Sequence, residues 1–203
     1  RDVDAQDDPD AALVAWMQRE EVLFRTLERH LLADKLQLLQ VDRKMDPDAF
    51  MKLALSFQQR RKARAGSALE NHLEAVFTAH GVTYSRTAVT ERKLKPDFVF
   101  PSIEHYRDLT FPAARLSMMA AKTTCKDRWR QIINEAARIE TKHLLTLEPS
   151  ISENQTAEMQ SEHVQLVLPR GLHDTYTARQ AAWLMDVRQF VGLAKERQKI
   201  GAA

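Results

Sequence analysis

The residues best suited to chemistry lie in two short stretches, Pro96-Asp97-Phe98-Val99-Phe100 and Met119-Ala120-Ala121-Lys122-Thr123. Hydrolysing a phosphodiester needs a divalent cation held by hard oxygen ligands. It also needs a fixed positive charge that stabilises the phosphorane-like transition state and helps orient the attacking water. An aspartate at the start of one strand and a lysine on the next can bring both groups to one sheet edge. Pro96 removes a backbone donor and favours extended entry into the first strand. The separation of 25 positions (122 minus 97) leaves room for a connection through about His105 to Arg115. Each residue also has a plainer role, Asp97 as a strand-turn cap and Lys122 as an edge-strand lysine. Lys122, however, ends the apolar run from Leu116 to Ala121, where a half-buried ammonium demands a partner.

These strands need elements to position them. Asp8-Pro9 and Asp46-Pro47 read as helix starts, each with an aspartate N-cap and proline at the first helical position. The first helix repeats Leu13, Trp16, Met17, Leu23, Leu27 and Leu31 at helical spacing, to about Leu32. The second carries Phe50, Leu53, Ala54 and Phe57, and is predicted to break at Gly66. Ser67 then caps a third, with Leu69, Leu73, Val76 and Phe77 inward and Gly81 as its stop. Strands follow at Val82-Thr83-Tyr84, from Asp97 to Phe100 and from Leu116 to Thr123. A helix from Cys125 to about Lys142 buries Trp129, Ile132, Ile133 and Ala136. His143 to Leu147 and Val164 to Leu168 are short apolar strands, separated by a polar loop with a helical turn at residues 153–162. Thr177 caps a last helix to about Gln198, with Trp183, Leu184, Val187, Phe190 and Val191 as its core stripe. This order predicts an α/β fold: a central mixed β-sheet flanked by helices over residues 66–203, with an N-terminal helical attachment over 1–65.

Composition sets limits. A length of 203 residues suits one domain with a helical attachment, and only 5 glycines argue against a turn-rich sandwich or propeller. Apolar runs stop short of a bilayer span, so no membrane association is expected. Five aspartates among the first ten residues argue against a secretory leader. A start at Arg1 rather than Met predicts a piece of something longer, with a partner domain upstream. The single cysteine, Cys125, leaves no internal disulfide or cysteine zinc site and fits a reducing cytoplasm. His80, His105, His143, His163 and His173 show no metal-ligand spacing. A net charge of +2 does not announce a nucleic-acid binder. Its distribution says more, with basic clusters at Arg60, Arg61, Lys62 and Arg64, at Arg92, Lys93 and Lys95, and from Lys122 to Arg130. Together they could track phosphates; singly, each reads as a solvated face.

The two strands resemble the PD-(D/E)xK nuclease fold, whose usual signature has an acid two residues before the lysine. Ala120 stands there instead. One branch of these nucleases takes its second carboxylate from the helix after the lysine strand, and Glu135 lies about two turns past Lys126-Asp127-Arg128. Without that precedent Glu135 reads as a solvent-facing glutamate like Glu140. The run Ala121-Lys122-Thr123-Thr124-Cys125-Lys126-Asp127-Arg128-Trp129-Arg130-Gln131-Ile132 closely resembles the EcoRII C-terminal family of type II restriction endonucleases. The resemblance extends from the first helix through Gly66 and Glu70 to His173-Asp174-Thr175-Tyr176.

That resemblance implies roles. Asp97 and Glu135 would hold Mg²⁺, Lys122 would be the catalytic lysine, and Glu70 an additional acid near the metal, although Glu74 shares nearly the same face. Tyr106 matches a tyrosine near the active site, with no role assigned. Lys126, Asp127 and Arg128 occupy the place where relatives read outer C·G pairs; Lys and Arg can donate to guanine, and Asp can accept from cytosine N4. Members reading CCWGG or a similar site flip the central pair, and Trp16, Arg19, Phe24 and Arg25 offer surfaces for stacking. Core packing is the plainer reading of Trp16 and Phe24. A two-fold site implies a homodimer on double-stranded DNA, with the first and last helices as interface candidates, in a bacterial cytoplasm. An upstream domain in the family can bind a second copy of the site and inhibit the catalytic part; the isolated domain would cut a single site.

Two readings compete. One is a DNA-binding module without cutting activity, in which Ala120 marks a lost metal site. The other is a repair or junction-resolving nuclease of the same fold. Glu135 speaks against the first, and the Lys126-Asp127-Arg128 trio against the second.

Overall fold

The computed structural model describes residues 3–38, 40–41, 44–125 and 128–199. Helix α1 (Pro9–Leu38) begins where Asp8 Oδ1 accepts the Ala11 amide at 3.1 Å. Helix α2 (Pro47–Ala79) begins where Asp46 accepts the Asp48 and Ala49 amides. Both expected caps are therefore present. Strands β1 (Gln40–Val41) and β2 (Lys44–Met45) form an antiparallel hairpin between the helices. Glu28 pairs with Arg61 Nε at 2.7 and 2.8 Å and Glu20 with Arg64 at 3.0 Å, so α1 and α2 run antiparallel.

Ala12 and Leu13 enter the core, whereas Leu23 and Leu27 are 63% and 50% exposed, so the expected inward stripe of α1 ends half-way along. The break expected at Gly66 is absent, and α2 is continuous for 33 residues. A mid-helix glycine costs about 1 kcal/mol relative to alanine. The helix-forming residues before it, the Arg61 and Arg64 ion pairs and buried Ala68 and Leu69 after it outweigh that cost. The 65/66 boundary thus falls inside a helix.

The described residues form a five-stranded sheet in the order β3 (Ser85–Arg86), β4 (Phe98–Phe100), β5 (Ser117–Lys122), β6 (Lys142–Thr146), β7 (Val164–Val167). Strand β4 runs antiparallel to both β3 and β5, while β5, β6 and β7 are mutually parallel. This is the expected mixed sheet. The first edge strand lies at Ser85–Arg86 rather than Val82–Tyr84. Short α3 (Ile103–Arg107) lies between β4 and β5, α4 (Trp129–Ile132) between β5 and β6, and α5 (Glu153–Ser161) between β6 and β7.

Alternation divides the core. Phe98, Phe100, Met119 and Ala121 face one layer with Leu13, Leu73 and Phe77; Val99, Met118 and Ala120 face the other with Trp129 and Ile132. Helices cover both faces, which is why β5 is buried without a break from Ser117 to Ala121. Phe77 meets Phe98 and Phe100 edge-on, with ring centroids 5.2 and 5.1 Å apart.

Three other expectations change. The helix expected from Cys125 to Lys142 is regular only over Trp129–Ile132, and Ala136 lies at φ 48°. The polar stretch at 153–162 is a nine-residue helix capped by Ser152. The last helix is two, α6 (Ala178–Ala181), with the expected Thr177 cap, and α7 (Val187–Lys199). Between them Met185 bridges to Val167. Asp186 and Gln189 exchange side-chain-to-amide bonds at 2.7 and 2.8 Å, a capping box that Asp186-x-x-Gln189 already spelled out. Among the described residues, no helix is long and apolar enough to cross a membrane.

Candidate active site

Asp97 immediately precedes β4, and its carbonyl accepts the Thr87 amide at 2.9 Å, which anchors it beside the edge strand. Antiparallel pairing sets Phe98 opposite Met119, bringing Asp97 alongside Ala120 and Ala121. Asp97 Oδ2 then accepts the Ala121 amide at 2.8 Å and the Lys122 ammonium at 2.7 Å. The two side chains are only 15% and 23% exposed. Lys122 therefore has the partner its apolar setting demanded.

Ala120, in the place of the usual acid, is fully buried in the apolar layer below the sheet. The other candidate carboxylate, Glu135, lies on the turn after α4. Its Oε2 is buried and has no hydrogen-bond partner among the described residues. Burial pushes the Glu135 carboxyl up to about 7, the Lys122 charge pulling it down and the Asp97 charge pushing it further up. All three groups therefore lie within one another's field. A buried, unpartnered carboxylate oxygen is costly unless a proton or cation meets it. Two carboxylates suit Mg²⁺, which keeps several waters and takes one or two protein carboxylates with substrate phosphates. Among the described residues no three His, Cys, Asp or Glu side chains group as a metal cage.

The other candidates are dispersed. Glu70 Oε2 accepts from Arg86 at 3.0 Å, and Glu74 shares the same guanidinium at 2.8 Å. Its carboxylate is thus engaged by Arg86 on β3, the residue paired with Phe98 next to Asp97. Tyr106 is buried on α3, and its hydroxyl donates to both Glu91 oxygens at 2.6 and 2.7 Å. Burial, reinforced by Glu91, holds its hydroxyl proton well above the ordinary range. Tyr106 contacts the Glu135 turn, since the Arg138 amide donates to its oxygen at 3.3 Å. Lys126 and Asp127 lie outside the described residues; Arg128 is exposed at the start of α4, its amide donating to the Cys125 carbonyl at 2.7 Å. Burial pushes the Cys125 thiol up to about 12, in keeping with a packed residue.

Trp16 is half-buried against His72, ring centroids 5.7 Å apart, and with exposed Arg19 lines a cavity of about 510 Å³. Phe24 and Arg64 stack at 4.6 Å in an adjacent groove that reaches Thr123, next to Lys122. Sequence reasoning missed Glu91, Arg138 and Lys142, which surround the Glu135 turn. One signal was available for Lys142, a lysine opening an apolar strand.

Residues 24–191 match the family described as EcoRII C terminal. The chain belongs to that family. The chain is 44% identical over 187 residues to the type II restriction enzyme EcoRII of Escherichia coli, covering 91% of this chain and 45% of that one. It is 29% identical over 117 residues to the type II restriction enzyme SsoII of Shigella sonnei, covering 53% and 37%. It thus spans less than half the length of these curated relatives. Among solved structures, metal-depleted Ecl18kI in complex with uncleaved, modified DNA superposes with a TM-score of 0.81 at 22% identity, over 96% of this chain and 71% of that one. A complex of the restriction endonuclease PspGI with substrate DNA gives 0.75 at 14% identity, over 94% and 80%. The chain therefore shares its fold with restriction endonucleases.

Proposed function

We propose that this chain is the catalytic domain of a type II site-specific deoxyribonuclease, hydrolysing double-stranded DNA at a CCWGG-like site with Mg²⁺. The observation that carries the reading is the buried, unpartnered Glu135 oxygen, on a carboxyl that feels the charges of the Asp97–Lys122 pair. Asp97 and Glu135 would hold the cation, which when bound would supply Lewis-acid polarisation of the phosphate and a more acidic water. Lys122, oriented by Asp97, faces the charge that builds as a water oxygen attacks phosphorus and one P–O ester bond breaks.

Several observations support the finer points. Exposed Arg128 and the neighbouring Lys126 and Asp127 have the chemistry to read C·G pairs. Trp16 and Arg19 beside their cavity suit a flipped base. Exposed Val22, Leu23 and Leu27 on α1, with Met51 and Leu55 on α2, offer an apolar face for a second copy on a two-fold site. The greater length of the relatives is in keeping with an upstream domain that regulates cutting. A bacterial cytoplasm follows from the restriction role. Incubating the protein and its Lys122→Ala variant with plasmid DNA and Mg²⁺, then mapping the ends, tests the reading. Discrete ends from the parent alone are expected; no cleavage by the parent, with binding unaffected by the substitution, would overturn it.

A further inference from the structure

The segment at 133–139 that carries Glu135 is gripped from two sides. Lys142, the first residue of β6, turns its ammonium back to donate to the Ala136 carbonyl at 2.8 Å and also to the Ile139 carbonyl. It is only 5% exposed. On the other side, Glu91 Oε2 accepts the Ala137 amide at 3.3 Å while both Glu91 oxygens hold the Tyr106 hydroxyl. The Tyr106 oxygen accepts the next amide, that of Arg138. The Arg138 guanidinium continues the grip, donating to the Asp108 and Phe111 carbonyls at 2.8 and 2.7 Å. Between the two sides Ala136, next to Glu135, is held at φ 48°, a conformation that a side-chain-bearing residue keeps only when its surroundings impose it.

We infer that Lys142 and the Tyr106–Glu91 pair are positioning residues for Glu135, fixing the turn so that its carboxylate faces Asp97 and Lys122. The inference rests on the reading of Glu135 as a metal ligand. A lysine is almost never this buried without specific partners, and an apolar side chain would fill the same core space without needing them. Its partners here are the two carbonyls where regular helix fails. Burial pushes the Lys142 ammonium below its ordinary range, and the charges of Glu91 and Glu135 hold it up, so the ammonium also lies in the field of the carboxylate it positions.

Groups that orient a metal ligand act on the affinity for the ion, whereas a residue that only holds the fold acts on melting temperature. Lys142→Met and Tyr106→Phe are compared with the parent in two titrations. One is Mg²⁺ against cleavage of a CCWGG duplex; the other is Ca²⁺ against binding of the same duplex. The half-saturating concentration of both ions is expected to rise by roughly 10-fold or more, with turnover at saturating Mg²⁺ falling far less. Lys142→Arg, which keeps donors for both carbonyls, is expected to recover part of the shift. Lowered melting temperature with unmoved midpoints overturns the inference. If Lys142→Met does not fold, Tyr106→Phe, which loses one oxygen atom, decides on the same midpoints. A parent that cuts no duplex overturns the endonuclease reading and this inference with it. A parent that cuts, with variants at parental midpoints, overturns only this inference.

Discussion

Asp97 Oδ2 receives both the Lys122 ammonium, at 2.7 Å, and the Ala121 amide, at 2.8 Å, so one carboxylate oxygen is oriented by a side chain and by the strand that carries it. Two donors on one oxygen lock the carboxylate plane and leave Lys122 little freedom. Removing Asp97 takes away a proposed metal ligand and leaves a half-buried ammonium without its partner. Asp97→Ala is therefore expected to lower cleavage by roughly 10²–10³-fold or more. Gel-shift binding of the specific duplex at saturating Ca²⁺ should stay close to parental. Equal loss of cleavage and binding would remove Asp97 from the ligand role.

Glu135 makes metal-free stability depend on pH. Its carboxyl is raised from 4.5 to about 7, so the folded protein holds that proton more tightly than the unfolded chain. The stabilisation is complete below the unfolded value and is lost as pH rises through the folded one. Melts in EDTA should show the parent falling behind Glu135→Gln as pH climbs from about 5 to about 8, by roughly 2–4 °C, the shift that about 1 kcal/mol gives at this size. Added Mg²⁺ should raise the parent more than the variant. A glutamine variant that is no more stable at the upper pH would contradict the buried, unmet charge.

Asp10, one of five aspartates in an acidic start, is buried and accepts the Arg170 and Val187 amides at 3.0 and 2.8 Å on Oδ1 and the Arg188 amide at 3.1 Å on Oδ2. It joins α1 to the beginning of α7. Asp10→Ala leaves those amides unmatched, and denaturant unfolding should show a loss on the order of 3 kcal/mol. Asp10→Asn keeps one oxygen acceptor and should lose less. Parental stability in the alanine variant would refute the cap.

Gly66 lies within continuous α2, and a Cβ built there meets nothing within 4 Å. Gly66→Ala should therefore stabilise the protein by about 0.5–1 kcal/mol. A higher melting temperature with unchanged cleavage is the expected result; destabilisation would mean that the glycine serves a contact made only in an assembly.

What could be read from residues alone had local causes. Asp8, Asp46 and Thr177 cap helices because a short oxygen-bearing side chain meets amides two or three residues on. Asp97 and Lys122 were legible because one opens an apolar run and the other ends one, where a polar group needs a partner. The stripe of Trp129, Ile132 and Ala136 was also real, since all three are buried. The backbone between them was not legible. Ala137 and Arg138 give their amides to Glu91 and Tyr106, 46 and 32 positions away, and Lys142 takes carbonyls that a continuous helix would have used. A backbone amide carries no mark of its distant partner, so residue identity told which atoms could hold a cation. Only packing across the sheet decided where the 133–139 turn that carries Glu135 leaves the helix.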